Sequence, residues 1–166
     1  AAISLADQGN LTGAEAALEA IAAESPDGYG ILAQFRAASL LAEQGNADAA
    51  ISAYDALSSS LNEIRLRELA LILGAYLAVD HLDVAAVEAR AGALTGEESP
   101  LRNQAREALG LAYFKAGNLE AARANFELIA ADQAAGQEMQ LRAYVYLEQL
   151  ASAGVQLSAP TDLPVE

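Results

Sequence analysis

The chain has 166 residues, enough for one ordinary domain, and 54% of them are hydrophobic although only 5% are aromatic, so an alanine-rich, helix-forming core of closely packed segments is expected. A formal charge of −14, from 23 acids against 9 Lys and Arg, argues against sequence-independent binding to nucleic acid and opposes anionic lipid, because both need cations to meet phosphate. With no cysteine in the chain, disulfides, thiol catalysis and cysteine-ligated metals are excluded as well.

Taken in order, the apolar spacing and the breaks predict helices over 1–8, 11–24, 28–44, 47–59, 62–80, 83–94, 99–116, 119–132 and 135–153. The first two join at Gly9, the next two at Gly45 and the pair before the last helix at Gly117, each glycine being followed by Asn and an alanine-rich helix start. The strings QGNLTGAEAAL, QGNADAAISAY and AGNLEAARANF therefore repeat with a period of 36 or its double. Between the second and third lies DHLDVAAVEA, with His81 where glycine is expected. The longer breaks are SPDG at 25–28, SSSLN at 58–62 and TGEESP at 95–100. The final helix carries Met139, Tyr144, Tyr146, Leu147 and Leu150 and is expected to cap the last open apolar face. Residues 155–166, with two prolines and no helical period, read as an extended tail beyond a repeat domain over 1–154.

The chemistry-bearing side chains form no recognisable catalytic set. His81 is the only histidine and is expected in a turn. Glu97 with Glu98, and Asp80 with Asp83, lack the converging oxygens of a hard-cation loop and suit helix starts instead. The strings GYG and GLAYFKAG follow no strand and lack a phosphate loop's Lys-Ser/Thr. Ser58, Ser59 and Ser60 have no companion histidine for a triad. No catalytic residue, cofactor or metal is expected. Arg102 and Arg106, four apart, are expected to pair with Glu98 and nearby glutamates, the alternative being an acid on a partner.

The unit around Leu109, Gly110, Tyr113, Gly117, Ala122 and Phe126 resembles the tetratricopeptide repeat, with Arg106 in place of that family's early Trp and Ile129 in place of its later Ala. The second unit keeps Gly45, Ala50 and Tyr54 but has Ala38 for the helix-contact glycine; the first keeps Gly9, Ala14 and Pro26. The third keeps Leu73, Gly74 and Ala86 but has Arg90 at the aromatic position, where a one-residue shift of register is the alternative. The resemblance implies an all-α solenoid of antiparallel helix hairpins, about four of them, closed by a C-terminal capping helix. It also implies a concave face lined by Phe35 and Ser39, by Leu71 and Ala75, and by Gln104, Glu107, Leu111 and Phe114, with Phe35, Leu71, Leu111 and Phe114 as the anchors for a peptide or protein partner.

A narrower likeness runs through AREALGLAYFKAGNLEAARANFELIAAD and QEMQLRAYVYLEQLAS, which resemble bacterial membrane-anchored tetratricopeptide proteins related to the ancillary subunit of the SecYEG translocon. That resemblance implies a transmembrane anchor upstream of the first residue, a periplasmic domain at the inner membrane, and translocon subunits or periplasmic chaperones as partners. Nothing in the sequence itself approaches the roughly 20 apolar residues of a bilayer span, so no direct membrane insertion by these residues is expected. The alternatives are a cytosolic adaptor of the same fold and a self-associating assembly module, that is, a homo-oligomer. The tail, apolar at Leu157, Leu163 and Val165, is a candidate occupant of the chain's own groove.

Overall fold

Alanine-rich stretches with helical spacing become helices throughout. The computed structural model describes residues 2–25 and 28–156, apart from the side chains at positions 3 and 7. In chain order the helices are α1 (Ala2–Asp7), α2 (Leu11–Glu24), α3 (Gly28–Glu43), α4 (Ala47–Ser60), α5 (Ile64–His81), α6 (Val84–Ala91), α7 (Arg102–Lys115), α8 (Leu119–Ala131) and α9 (Gln137–Ser152), with a single tight turn of 3₁₀ helix at Gly92–Leu94. Every expected helix is present, its ends moved by no more than about three residues, and no strand occurs among the described residues. The protein is all-α. The break at Pro26 and the tail over 157–166, with Leu157, Leu163 and Val165, lie outside the described residues.

Three of the connections share one geometry. Gly9, Gly45 and Gly117 have φ of 77°, 78° and 77°, a left-handed conformation that glycine adopts without a Cβ penalty. In each turn the glycine N–H donates to the carbonyl three residues back, at 2.9, 2.9 and 3.1 Å, and the following Asn N–H reaches the carbonyl five back at 2.9 Å. This pair of bonds satisfies the free carbonyls at a helix end. The same Asn then starts the next helix: its carbonyl accepts from Ala14, Ala50 or Ala122, at 3.0, 3.0 and 3.1 Å. The side chains of Asn10 and Asn118 also accept, from the N–H of Gly13 and Ala121. So short a turn reverses the chain, and α1 with α2, α3 with α4, and α7 with α8 pack side by side.

The turn at His81 departs from that geometry. No residue other than glycine has positive φ among the described residues. Without a left-handed closure α5 runs through His81, so this histidine is the last residue of a helix and not part of a turn. Asp83 takes over as N-cap, its carboxylate accepting from the Ala86 N–H at 2.9 Å. Asp83 lies 37 residues after Asn46 and 35 before Asn118. The third unit is therefore one residue out of register, and the buried positions follow: Val87, Ala91 and Leu94 answer to Ala50, Tyr54 and Leu57, and to Ala122, Phe126 and Ile129. Arg90 consequently stands beside the core position, its guanidinium reaching back to the Ala86 carbonyl at 2.6 Å.

Packing divides the chain into two compact units, 1–81 and 82–166. In the first, each of α2 to α5 packs on the helix before it, around Ala14, Leu18 and Leu40 towards one end and around Ala38, Tyr54, Leu57 and Ala70 towards the other. In the second, α7 packs on α6, α8 on α7 and α9 on α8, around Phe126, Ile129, Ala143, Leu147 and Leu150. Ala14, Ala38, Ala50, Ala70, Ala105, Ala108 and Ala122 are wholly buried, so methyl groups rather than large side chains fill much of the helix contact. A large ring fits where a glycine faces it. Phe126 lies over Gly110, where a Cβ would stand 2.8 Å from its Cζ. Burying that ring contributes roughly 2–3 kcal/mol.

Candidate partner-binding surface

The four expected anchors occupy two helices of the first unit and one of the second, and all four are half-buried. Phe35, on α3, leans on Tyr54 of α4 with ring centroids 6.2 Å apart and planes tilted by 47°. Burial pushes the Tyr54 hydroxyl above its ordinary pKa, while a hydrogen bond with Ser39 and the charge of Arg36 pull the other way. Ser39 is engaged on its other side too, accepting from Arg36 at 3.3 Å and meeting Glu43 at 3.4 Å, with Arg36 and Glu43 themselves paired at 2.6 Å. Leu71 stands on α5 between buried Ala70 and Ile72. Ala75, expected on the same face, is wholly buried and lines no surface.

In the second unit Leu111 and Phe114 come together against the cluster of Phe126, Ile129 and Leu147. Phe114 meets Tyr146 of α9 edge-on at 5.7 Å, and Tyr146 in turn lies stacked on Phe126 at 4.8 Å. Glu107 is buried and receives both nitrogens of a forked Arg142 contact, at 2.7 and 3.3 Å, so its carboxylate is committed to α9. Gln104 remains half-buried on α7.

Arg102 and Arg106 do not pair with Glu98. Both turn to Asp132, the residue that ends α8: Arg102 grips it through Nε at 2.6 Å and Nη2 at 3.0 Å, and Arg106 Nη1 lies 3.4 Å away. Asn103 adds a third donor at 2.9 Å, and the Ala134 N–H a fourth at 2.9 Å. Gathered around one carboxylate, these donors and above all the Arg102 guanidinium hold Asp132 far below the usual carboxylate range, with partial burial opposing them. Arg106 is 7% exposed, and its Nε is the one buried side-chain atom without a hydrogen-bond partner among the described residues. The cluster ties the N-terminus of α7 to the C-terminus of α8, and Gln140 of α9 joins it by donating to the Asp132 carbonyl at 3.1 Å. Its oxygens are filled by internal donors, so its chemistry is structural. A sequence signal existed: a carboxylate at a helix C-terminus opposes the helix dipole and calls for a cation nearby.

The remaining candidates are equally tied to local structure. Tyr113 donates to Glu88 of α6, and that hydrogen bond raises the phenol pKa, burial adding to it. Asp83 caps a helix, and His81 is exposed at a helix end. An open cleft of about 330 Å³ lies between α3 and the α4–α5 connection, lined by Ile31, Gln34, Ser60, Leu61, Asn62 and Glu63. Glu63 there accepts the Arg65 N–H at 3.3 Å and so caps the start of α5. No group of His, Asp and Glu side chains among the described residues is placed to hold a metal, and no helix among them is long and apolar enough to cross a membrane.

One exposed apolar surface lies apart from the four expected anchors. On α9, Leu141, Tyr144 and Val145 are 65%, 55% and 52% exposed, so this helix covers the apolar face behind it while presenting another. The signal was available in their spacing of three and four, which places them on one side of a helix. Comparison with protein-family models, with curated proteins and with solved structures finds no match for the chain.

Proposed function

We propose that this chain is a non-catalytic protein–protein interaction scaffold of the tetratricopeptide type, a solenoid of helix hairpins that receives peptide or protein partners on a concave face. The observation that carries the reading is the Gly-Asn turn, repeated three times with the same φ and the same paired hydrogen bonds. One closing device used three times supports one supersecondary unit used repeatedly, and stacked hairpins of this kind offer extended surfaces and not enclosed pockets. Phe35, Leu71, Leu111 and Phe114 act as anchors whose half-buried side chains a partner covers further, each gaining roughly 25 cal/mol per Å² of apolar surface removed from water. The acidic balance of the chain steers partner choice by repelling acidic competitors. The resemblance of the last repeat and terminal helix to translocon-associated proteins supports a location at the periplasmic face of a bacterial inner membrane.

Crosslinking pull-down from bacterial membranes with the full-length gene product tests both parts. Recovery of translocon subunits or periplasmic chaperones is expected, and it should fall when Phe35 and Leu71 are changed to Ser. Recovery of cytosolic proteins alone overturns the location. Undiminished recovery by the Phe35→Ser, Leu71→Ser variant overturns the groove.

A further inference from the structure

A helix face open to water in a helical array is ordinarily polar, and α9, the last helix among the described residues, carries an apolar strip on its outward side. Leu141, Tyr144 and Val145 are each more than half exposed on one side of the helix. The repeat register shows what is unusual about them. Both α7 and α9 close with a left-handed glycine and the same pair of backbone bonds, at Gly117 and at Gly154. Aligning those glycines sets Tyr144 opposite Glu107 and Val145 opposite Ala108. On α7 these two positions are 6% and 0% exposed, whereas on α9 their counterparts are large, apolar and uncovered. The strip has the three- and four-residue spacing by which one helix receives another.

Its ends are charged. Glu138 lies three residues before Leu141 and Glu148 three after Val145, on the same ridge and both exposed. Neither carboxylate has a cationic partner among the described residues, the nearby Arg142 being committed to Glu107. The two acids stand about 15 Å apart along the axis at 1.5 Å per residue.

We propose that this outward strip of α9, Leu141, Tyr144 and Val145 bracketed by Glu138 and Glu148, docks an amphipathic helix of a partner protein whose apolar stripe is flanked by Lys or Arg. Charge selects this occupant over the two nearest rivals. A second copy brings the same two carboxylates to the strip on a chain of net charge −14, and residues 157–166 offer Asp162 and Glu166 with no Lys or Arg. The strip contains none of the four groove anchors, so it stands whether or not the groove does.

The test uses the full chain and two fluorescent helical peptides of about 18 residues, each with leucines spaced three and four apart, one flanked by Lys and the other by Glu. Fluorescence anisotropy should show saturable binding of the Lys-flanked peptide, at least about tenfold weaker binding of the Glu-flanked one, and weakening with salt. Leu141→Ser with Tyr144→Ser removes the apolar strip without changing charge, and should weaken binding about tenfold or more with circular dichroism unchanged. Glu138→Gln with Glu148→Gln should weaken it several-fold. Equal affinity for wild type and the serine variant, equal affinity for the two peptides, or no binding overturns the proposal. Dimerisation of the wild type that the serine variant loses, seen by sedimentation, reassigns the strip to a second copy. Binding that appears only after removal of residues 157–166 reassigns it to the tail. Loss of the groove through Phe35→Ser and Leu71→Ser should leave peptide binding intact, which separates the two surfaces.

Discussion

Replacing Gly110 by alanine sets two effects of known size against each other. A Cβ there would stand 2.8 and 2.9 Å from Cζ and Cε1 of Phe126, well inside van der Waals contact. Phe126 is wholly buried and stacked on Tyr146 with 6° between the ring planes, so its ring cannot swing aside without breaking that stack. Overpacking of this kind costs about 1–3 kcal/mol. Exchanging Gly for Ala inside a helix stabilises it by about 1 kcal/mol. The steric effect is the larger, and Gly110→Ala should destabilise the protein by about 1 kcal/mol net. Phe126→Leu shortens the opposing side chain, so in that background Gly110→Ala should become stabilising by up to about 1 kcal/mol, a coupling of about 2 kcal/mol across the cycle. The assay is urea unfolding followed by far-ultraviolet circular dichroism on the four proteins of the cycle. Gly92→Ala serves as the control, since a Cβ at Gly92 meets nothing within 4 Å and its φ of −56° is already helical. If Gly110→Ala stabilises the wild type as much as Gly92→Ala does, the ring yields freely and the reasoning is refuted.

Asp132→Asn should cost about 1–3 kcal/mol near neutral pH, because buried Arg106 and Asn103 lose a charged acceptor. Since the folded carboxyl lies below its ordinary range, its stabilisation is present above the unfolded value of about 4 and is lost as pH falls through that value towards the folded one. Urea midpoints of wild type and variant should therefore converge from about pH 6 to about pH 2, and a constant gap would contradict the assignment. Gly117→Ala forces a side chain into φ of 77° and should destabilise by about 1–2 kcal/mol although nothing touches the new methyl, as thermal unfolding will show. Asn118→Ala removes a side-chain cap and should cost about 1 kcal/mol, whereas Asn46→Ala, where no such cap bond forms, should cost distinctly less. Equal losses at the two asparagines would show that the side-chain bond is not what stabilises the turn.

The all-helical class was legible because its causes are local. Alanine propensity acts within each segment, a left-handed glycine ends a helix wherever it stands, and an Asn or Asp caps the next one without help from the rest of the chain. For that reason Gly9, Gly45 and Gly117 behave as their spacing indicated. The same locality explains the third unit: with histidine in place of glycine the helix continues, Asp83 caps one residue late, and the register shifts. The shift was one of two readings open from the sequence, and the burial of Ala91 in place of Arg90 selects it.

Partners distant along the chain were not legible in this way. Spacing of four suggested that Arg102 and Arg106 answer to neighbouring glutamates, yet both reach Asp132, which is near them only because the α7–α8 hairpin closes. Glu107, expected on an open face, is committed to Arg142 by the arrival of α9. Apolar character alone could not separate residues that pack from residues that wait for a partner: Ala75 is wholly buried, Leu111 and Phe114 lean on the C-terminal cluster, and Leu141, Tyr144 and Val145 face outward. The set of helices and the turns that join them thus follow from the order of residues alone, because propensity, capping and φ are properties of a few consecutive residues. Which charges meet, and which apolar faces stay uncovered, was decided only in the tertiary structure, because burial depends on the neighbours that packing brings to each side chain.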